Sequence, residues 1–216
     1  MLKKFLILLL LMMPQWLFAY KSIDELRVNT ITPLSSLAHL KQKLQKRDRI
    51  CEPYINELAV VVVPYHGFDK KDHKGAIIIH RDLANDVLEI FQALHQHKFA
   101  IEKIKPFGST QNVTLSYNCR VVTDQKGILS QHSYGRAIDI NPLQNPYVKG
   151  KLIIPPQGKK YIKRTDLKGQ ISKDSLVYQL FTERGWDWGG AWFDLFDYQH
   201  FEKRANGEKR NPYGYQ

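Results

Sequence analysis

ELAVVVVPY, at residues 57–65, is the strongest β-strand signal in the sequence. It is rich in valine, whose β-branched side chain favours strands, and Pro64 and Gly67 bound it. Residues 75–80, GAIIIH, form the predicted partner strand. The polar residues 66–74 between the two runs predict a hairpin with a long loop. The hairpin places an antiparallel sheet at the centre of the predicted fold.

Helices are predicted on both sides of this hairpin. Asp82 is the candidate N-cap of a helix whose apolar residues recur at three- and four-residue steps and so share one face. These residues are Leu83, Val87, Ile90, Phe91 and Leu94. A later helix is predicted to begin after Ser172 and to end at Gly185. Residues 20–48 predict a helical lead-in, because leucines recur there at helical spacing. They are Leu37, Leu40 and Leu44.

The remaining patterns complete an α+β domain. Further short strands are predicted at residues 100–104, 116–122 and 136–140, whereas proline and glycine make residues 142–170 irregular. The 216 residues are enough for one domain of ordinary size with a buried core. The prediction is therefore a single α+β domain at residues 49–216, an antiparallel β-sheet flanked by helices.

The N-terminus has the pattern of a secretory signal peptide at residues 1–19. Lys3 and Lys4 precede an apolar run at residues 5–13, and Ala19 offers a cleavage site. The nine apolar residues are too few to span a bilayer, which needs about 20. Cleavage predicts a secreted or periplasmic protein without a stable membrane span. An uncleaved N-terminal anchor is the alternative.

Charge and cysteine content narrow the possible partners. The chain has 32 Lys and Arg against 21 Asp and Glu; cleavage removes two positive charges and lowers the net charge from +11 to +9. This excess favours an anionic partner, such as a cell-wall surface. The basic residues are scattered, and no nucleic-acid motif appears, so nucleic-acid binding is the weaker interpretation. Two cysteines exclude a disulfide-rich miniprotein and a four-cysteine metal site.

The candidate metal-binding and catalytic residues lie in two segments, residues 130–141 and residues 185–202. Each holds a histidine and an aspartate beside glycine and aromatic residues. Asp139 lies between two isoleucines, and a carboxylate buried in a strand is costly unless it is paired or bound to a metal. A turn at Gly135 can fold His132 back beside it.

A zinc site is the interpretation that unites these residues. His200, from the second segment, would complete a set of two nitrogens and one oxygen with His132 and Asp139. This donor set suits Zn²⁺ and leaves a fourth position for water. Asp197, three residues before His200, is placed to act as a base near the metal.

Three sequence blocks resemble the M15 zinc peptidases, which include VanY-type D-alanyl-D-alanine carboxypeptidases and phage L-alanyl-D-glutamate endopeptidases. The blocks are Asn-Cys-Arg at residues 118–120, Ser-x-His-x-x-Gly-x-Ala-x-Asp at residues 130–139, and Trp-x-Trp-Gly-Gly followed by Asp-x-x-His-Phe-Glu at residues 186–202. The resemblance covers roughly residues 50–203. It implies the fold of D-Ala-D-Ala carboxypeptidases and hedgehog-like proteins, and a zinc-dependent peptidase that acts on peptidoglycan stem peptides.

The resemblance also assigns roles by position. His132, Asp139 and His200 are implied as the zinc ligands, Asp197 as the general base and Arg120 as the residue that holds substrate and polarises its carbonyl. Many family members carry glutamate at the position of the base, so the shorter aspartate moves the carboxylate by about one methylene. Carboxypeptidase and endopeptidase activity both remain open.

Weaker assignments complete the predicted site. Ser130, Tyr134 and Trp188 are expected at the substrate, although tryptophans in this pattern are more often core residues. Glu202 is expected behind the metal ligands.

Cys51 and Cys119 allow two interpretations of the cysteine chemistry. A disulfide between them would tie the start of the domain to the segment that bears Arg120. Alternatively, Cys119 is the nucleophile of a cysteine hydrolase. A non-catalytic cell-wall-binding module with a structural metal is the other alternative.

Overall fold

The computed structural model describes residues 22–108, 112–122 and 127–210. The predicted signal peptide, residues 1–19, lies outside the described residues. Within those ranges, the helices are all too short or too polar to cross a bilayer.

Short helices and strands alternate along the described chain. The α-helices are α1 (Ala38–Arg47), α2 (Glu52–Ile55), α3 (Ala84–Gln96) and α4 (Leu176–Thr182). The first strands are β1 (Thr30–Pro33), β2 (Leu58–Gly67), β3 (Asp72–His80), β4 (Ala100–Ile101) and β5 (Ala137–Asp139). The later strands are β6 (Tyr147–Lys149), β7 (Leu152–Ile154), β8 (Asp187–Trp188), β9 (Phe196–Asp197) and β10 (His200–Glu202).

The predicted hairpin is the centre of the largest sheet. Antiparallel strands β1, β2 and β3 lie in that order, and β4 pairs in parallel with the end of β2. The strands continue further than predicted, to a pair between His66 and Asp72, so the connection is shorter than the predicted long loop. The His66 ring lies 3.0 Å from the Asp72 carboxylate, and this polar pair extends the ladder beyond its apolar part.

Both faces of this sheet are buried, which explains the uninterrupted apolar run in β2. Val61 and Ile77 belong to a core with α3, α4 and the strands of a second sheet. Their neighbours Val60 and Ile78 point to the other face, into a core with leucines of α1 and of the segment before it. Successive residues of a strand point to opposite faces, so a strand that is covered on both sides is apolar throughout.

The lead-in at residues 20–48 is only partly helical. Its leucine-rich end forms α1, but Thr30–Pro33 form the edge strand β1, with Ile31 opposite Val61. Threonine and isoleucine are β-branched and favour strands, and the leucine periodicity begins only after them. The lead-in thus shares the main sheet with the segment that follows it.

Other element boundaries also differ from the predictions. The predicted strand at residues 116–122 is not formed; isolated bridges occur at Leu115, just before this range, and at Val121, within it. Asp82 lies within a 3-10 turn before α3, where the His80 ring accepts from the Asp82 backbone N–H. The cap of α4 is Ser175, not Ser172, because the Ser175 hydroxyl accepts from the N–H of Tyr178.

Cys51 and Cys119 form a disulfide across 68 residues of sequence. Cys51 is fully buried at the start of α2, whereas Cys119 directly precedes Arg120. The bridge therefore ties an otherwise irregular segment to the core on the α1 side of the main sheet.

We expect the double variant Cys51→Ala/Cys119→Ala to lose about 4 kcal/mol of unfolding free energy, because closure of a long loop restricts the unfolded chain. Urea unfolding with and without a reductant measures this loss. Wild type in reductant should match the variant, whose own curve should not respond to the reductant. An unchanged curve for fully reduced wild type would contradict the prediction.

Candidate metal centre

A second sheet places two of the predicted ligands opposite each other. Strands β5, β10 and β8 form an antiparallel sheet in which His200 pairs with Asp139 and Phe201 with Ile138. Residues directly opposite each other in antiparallel strands project from the same face. The register therefore brings the His200 and Asp139 side chains together on one face, while Ile138 and Phe201 enter the core.

A tight turn positions His132, the third predicted ligand. His132 lies in a 3-10 helix, Gln131–Tyr134, that ends at Gly135 with a left-handed φ of 64°. A Cβ at this position would lie 2.7 Å from the backbone nitrogen of His80, so only glycine fits there. This turn carries the chain from His132 into β5, as the sequence predicted.

The three side chains converge on one point. His132 Nε2 lies 3.2 Å from Asp139 Oδ1, and His200 Nδ1 lies 3.0 Å from the same oxygen. The two ring nitrogens are 3.2 Å apart. Tetrahedral zinc with ligands at about 2.0–2.1 Å has ligand–ligand distances of about 3.3 Å, so this triangle fits the ion. Among the described residues, this is the cluster whose donor atoms could share a metal.

Hydrogen bonds behind the two histidines determine which nitrogen faces the centre. His132 Nδ1 donates to the carbonyl oxygen of Ser116 at 2.6 Å, and His200 Nε2 donates to Glu202 at 3.1 Å. Arg204 in turn donates to Glu202 at 2.7 Å. With these outer nitrogens holding protons, His132 Nε2 and His200 Nδ1 are the atoms available to bind a metal. The predicted position of Glu202, behind a ligand, agrees with this arrangement.

The charge distribution of the site favours a cation. Burial by itself would raise the pKa of Asp139, but the two imidazoles outweigh burial and hold that pKa well below its usual range. Burial would likewise lower the pKa of His200, but Asp139 and Glu202 outweigh it and raise that pKa well above its ordinary value. Two carboxylates around a ring buried to 5% exposure form a strong site for positive charge.

Asp197 reaches the site from a third small sheet. Strand β9 pairs with β6, and β6 with β7, so that Asp197, Tyr147 and Ile154 lie opposite one another in one row. All three line a cleft with a volume of about 430 Å³, here named the metal cleft, which His200 and Arg120 also line.

A glycine of the predicted motif lets the chain approach Asp197. A Cβ on Gly189 would lie 2.6 Å from the Asp197 carbonyl oxygen and 2.8 Å from its Cβ. The Asp197 carboxylate accepts from the Gln199 side chain at 3.1 Å. Desolvation, with the Asp139 carboxylate nearby, raises the pKa of Asp197 to about 6. A carboxyl with such a pKa can accept and return a proton near neutral pH.

Arg120 and Ser130 also lie at the metal cleft. The Ser133 hydroxyl accepts from the Arg120 backbone N–H at 2.9 Å and donates to the Arg120 carbonyl oxygen at 2.7 Å. These two hydrogen bonds fix the backbone of Arg120 to the 3-10 helix that carries His132. The Ser130 hydroxyl caps the same helix by accepting from the His132 N–H.

Two predicted substrate contacts lie away from the metal cleft. Trp188 is only 4% exposed and donates from its ring to the Tyr198 carbonyl oxygen, so its ring belongs to the core. Tyr134 packs edge-on against Tyr54, in a neighbouring depression. Trp192 is the tryptophan that lines the metal cleft, 5.4 Å from the His200 ring between centroids. The structure thus offers no support for a substrate contact by the Trp188 ring.

Residues 123–203 match a family model described as D-alanyl-D-alanine carboxypeptidase. The predicted resemblance to the M15 peptidases is confirmed over this segment. It contains the three clustered candidate ligands and Asp197, whereas Arg120 lies just before it. No curated protein and no solved structure matches the chain.

Buried asparagines in the M15 segment have a structural role that sequence reasoning missed. Asn141 accepts from the Glu102 N–H and donates to the carbonyl oxygens of Ala100 and Gly169. Asn145 likewise donates to Gly169 and accepts from the Ile171 N–H. These bonds anchor residues 142–170 beside the site. The prediction that this segment is irregular was wrong in part, because strands β6 and β7 pair within it. The Asn-Pro pairs were visible in the sequence, but their partners are distant along the chain.

We expect Glu202→Gln to weaken zinc binding at least tenfold, because the charge that orients and polarises His200 is lost. Competition with a chromophoric chelator measures the dissociation constant. Glu183→Gln, on the exposed residue after α4, is the matched control and should bind zinc like wild type. Equal affinities for Glu202→Gln and wild type would contradict the role of Glu202.

Proposed function

We propose that this protein is an exported zinc peptidase that hydrolyses a bond in the stem peptide of peptidoglycan. The observation that carries the proposal is the convergence of His132, Asp139 and His200 within a segment that matches the M15 peptidases. The signal-peptide pattern and the excess of basic residues support export to an anionic wall.

The ligand set fits zinc in donor type and distance, and Ser116 and Glu202 hold the outer nitrogens of the two histidines, so His132, Asp139 and His200 would hold the ion. Bound zinc supplies Lewis-acid chemistry, polarising a carbonyl and lowering the pKa of a water from about 15.7 toward about 7. Asp197 would act as the base that takes a proton from the attacking water and returns it to the leaving amine. Arg120 donates to the carbonyl oxygen as it gains negative charge; one such contact is worth about 3 kcal/mol of barrier.

Defined stem peptides, incubated with and without a chelator and weighed by mass spectrometry, test the proposal. A zinc peptidase releases fragments that disappear with the chelator, whereas a wall-binding module only depletes free peptide. A cysteine hydrolase would ignore chelators and lose activity on alkylation. The disulfide favours the zinc enzyme over this alternative, because it leaves Cys119 without a thiol.

We expect Asp197→Asn to lower kcat by about 10²- to 10⁴-fold, because the proton acceptor is removed while the three ligands remain. Metal analysis should find zinc still bound. His132→Ala should lose both zinc and activity. Wild-type turnover by zinc-loaded Asp197→Asn would show that another group is the base.

The acid side of the pH profile should follow the ionisation of Asp197. Because its pKa is raised to about 6, the carboxylate that accepts the proton is present above that pH and lost below it. A bound cation favours the ionised form, so kcat/KM should fall about tenfold per pH unit from pH 6 or lower. Zinc content measured at each pH separates this effect from metal loss. An acid limb above pH 7 would contradict the prediction.

A further inference from the structure

The chain beyond residue 203, where the family match ends, returns to the metal cleft. Arg210 lines this cleft together with Trp192 and Asp194. The Arg210 backbone N–H donates to the Asp187 carboxylate at 3.2 Å, and the Trp192 ring N–H donates to the same oxygen at 2.9 Å. One carboxylate of β8 therefore fixes both the returning segment and the tryptophan of the cleft.

The Arg210 side chain, only 9% exposed, holds two neighbours at once. Its two terminal nitrogens donate to the two oxygens of Asp194, at 2.6 and 2.8 Å. Its guanidinium carbon lies 4.4 Å from the centroid of the Trp192 ring. A planar guanidinium can pair with a carboxylate through both donors while it stacks on an aromatic face. Arg210 therefore keeps the aspartate and the tryptophan in a fixed arrangement on the wall of the cleft.

The pairing changes the charge that the cleft wall presents to a substrate. The hydrogen bonds from Arg210 hold the pKa of Asp194 below its usual range, so this carboxylate is ionised at neutral pH. Arg120 and Lys149, which also line the cleft, attract a peptide that bears carboxylates. A negative charge at Asp194 that Arg210 did not neutralise would oppose this attraction, because like charges in one cleft repel.

Resting on the proposed function, we infer that Arg210 is a specificity-determining residue: it neutralises Asp194, so that the metal cleft selects stem peptides with free internal carboxylates. Trp192, held by the same arginine, forms an uncharged part of the wall. This selectivity depends on a segment that lies outside the residues matched to the family.

Two peptides that differ only in charge test the inference. One is a stem pentapeptide with its internal carboxylates free, and the other has those carboxylates amidated; both keep the same C-terminus. Calorimetry measures their dissociation constants with zinc-loaded, full-length Asp197→Asn protein, so that the peptides stay intact. We expect a preference for the acidic peptide, which Arg210→Met added to this protein reduces at least fivefold, because Asp194 then repels the carboxylates.

Two further variants separate this effect from others. Lys209→Met removes the same charge from the neighbouring exposed residue and should leave the preference within about twofold, since exposed charges are screened. Asp194→Asn combined with Arg210→Met should restore the preference to within about twofold, because the repelling charge is gone. A merely structural role of Arg210 would weaken the binding of both peptides alike. An unchanged preference in Arg210→Met, or its loss without restoration by Asp194→Asn, would overturn the inference.

Cleavage by protein with an intact Asp197 separates this inference from the proposed function. In Arg210→Met, the loss for the acidic peptide should appear in KM, with kcat within about threefold of wild type, because the reacting groups are unchanged. If a chelator abolishes cutting but Arg210→Met cuts the two peptides in the wild-type ratio, the zinc peptidase stands and the inference is wrong. If neither peptide is cut but binding responds to Arg210→Met as expected, the peptidase is wrong and the charge selection stands.

Discussion

The pairing of β10 with β5 is the constraint on which the site depends. It sets His200 directly opposite Asp139, and the next pair, Phe201 with Ile138, is buried in the core. A shift of one residue would exchange the two faces of the strand, placing the polar pair in the core and the apolar pair at the cleft. Burial of Ile138 and Phe201 therefore enforces the register that brings the ligands together.

The main sheet acts as the rigid support for this pairing. Its two buried faces hold it between α3 and the lead-in, and the smaller sheet packs on the α3 side. The Gly135 turn lies against the end of β3, where the His80 N–H donates to the Gly135 carbonyl oxygen at 2.8 Å. His132 is thus fixed by the central hairpin itself. The disulfide at Cys119 fixes the arginine-bearing segment to the opposite face in the same way.

Positive and negative side chains alternate in a series of neighbouring pairs through the site. Arg204 pairs with Glu202, Glu202 orients His200, and His200 meets Asp139. Buried charges are costly unless each has a partner, so the chain of pairs makes this concentration of charge tolerable. The last partner in the series is the position at which we propose that zinc binds. Asp197 stands beside this series, and its burial, with the Asp139 carboxylate nearby, raises its pKa toward neutrality rather than lowering it.

The sequence by itself determined the central hairpin, the helix after it, the cluster of His132, Asp139 and His200, and the resemblance to the M15 peptidases. These follow from local signals, since residue spacing and motif chemistry act over a few positions. It did not separate Trp188, which is buried, from Trp192, which lines the cleft, because both lie in the same aromatic block. Nor could it show the edge strand β1 or the asparagine anchors. Those features depend on contacts between residues far apart in the chain, and such contacts exist only once strand register and packing are set.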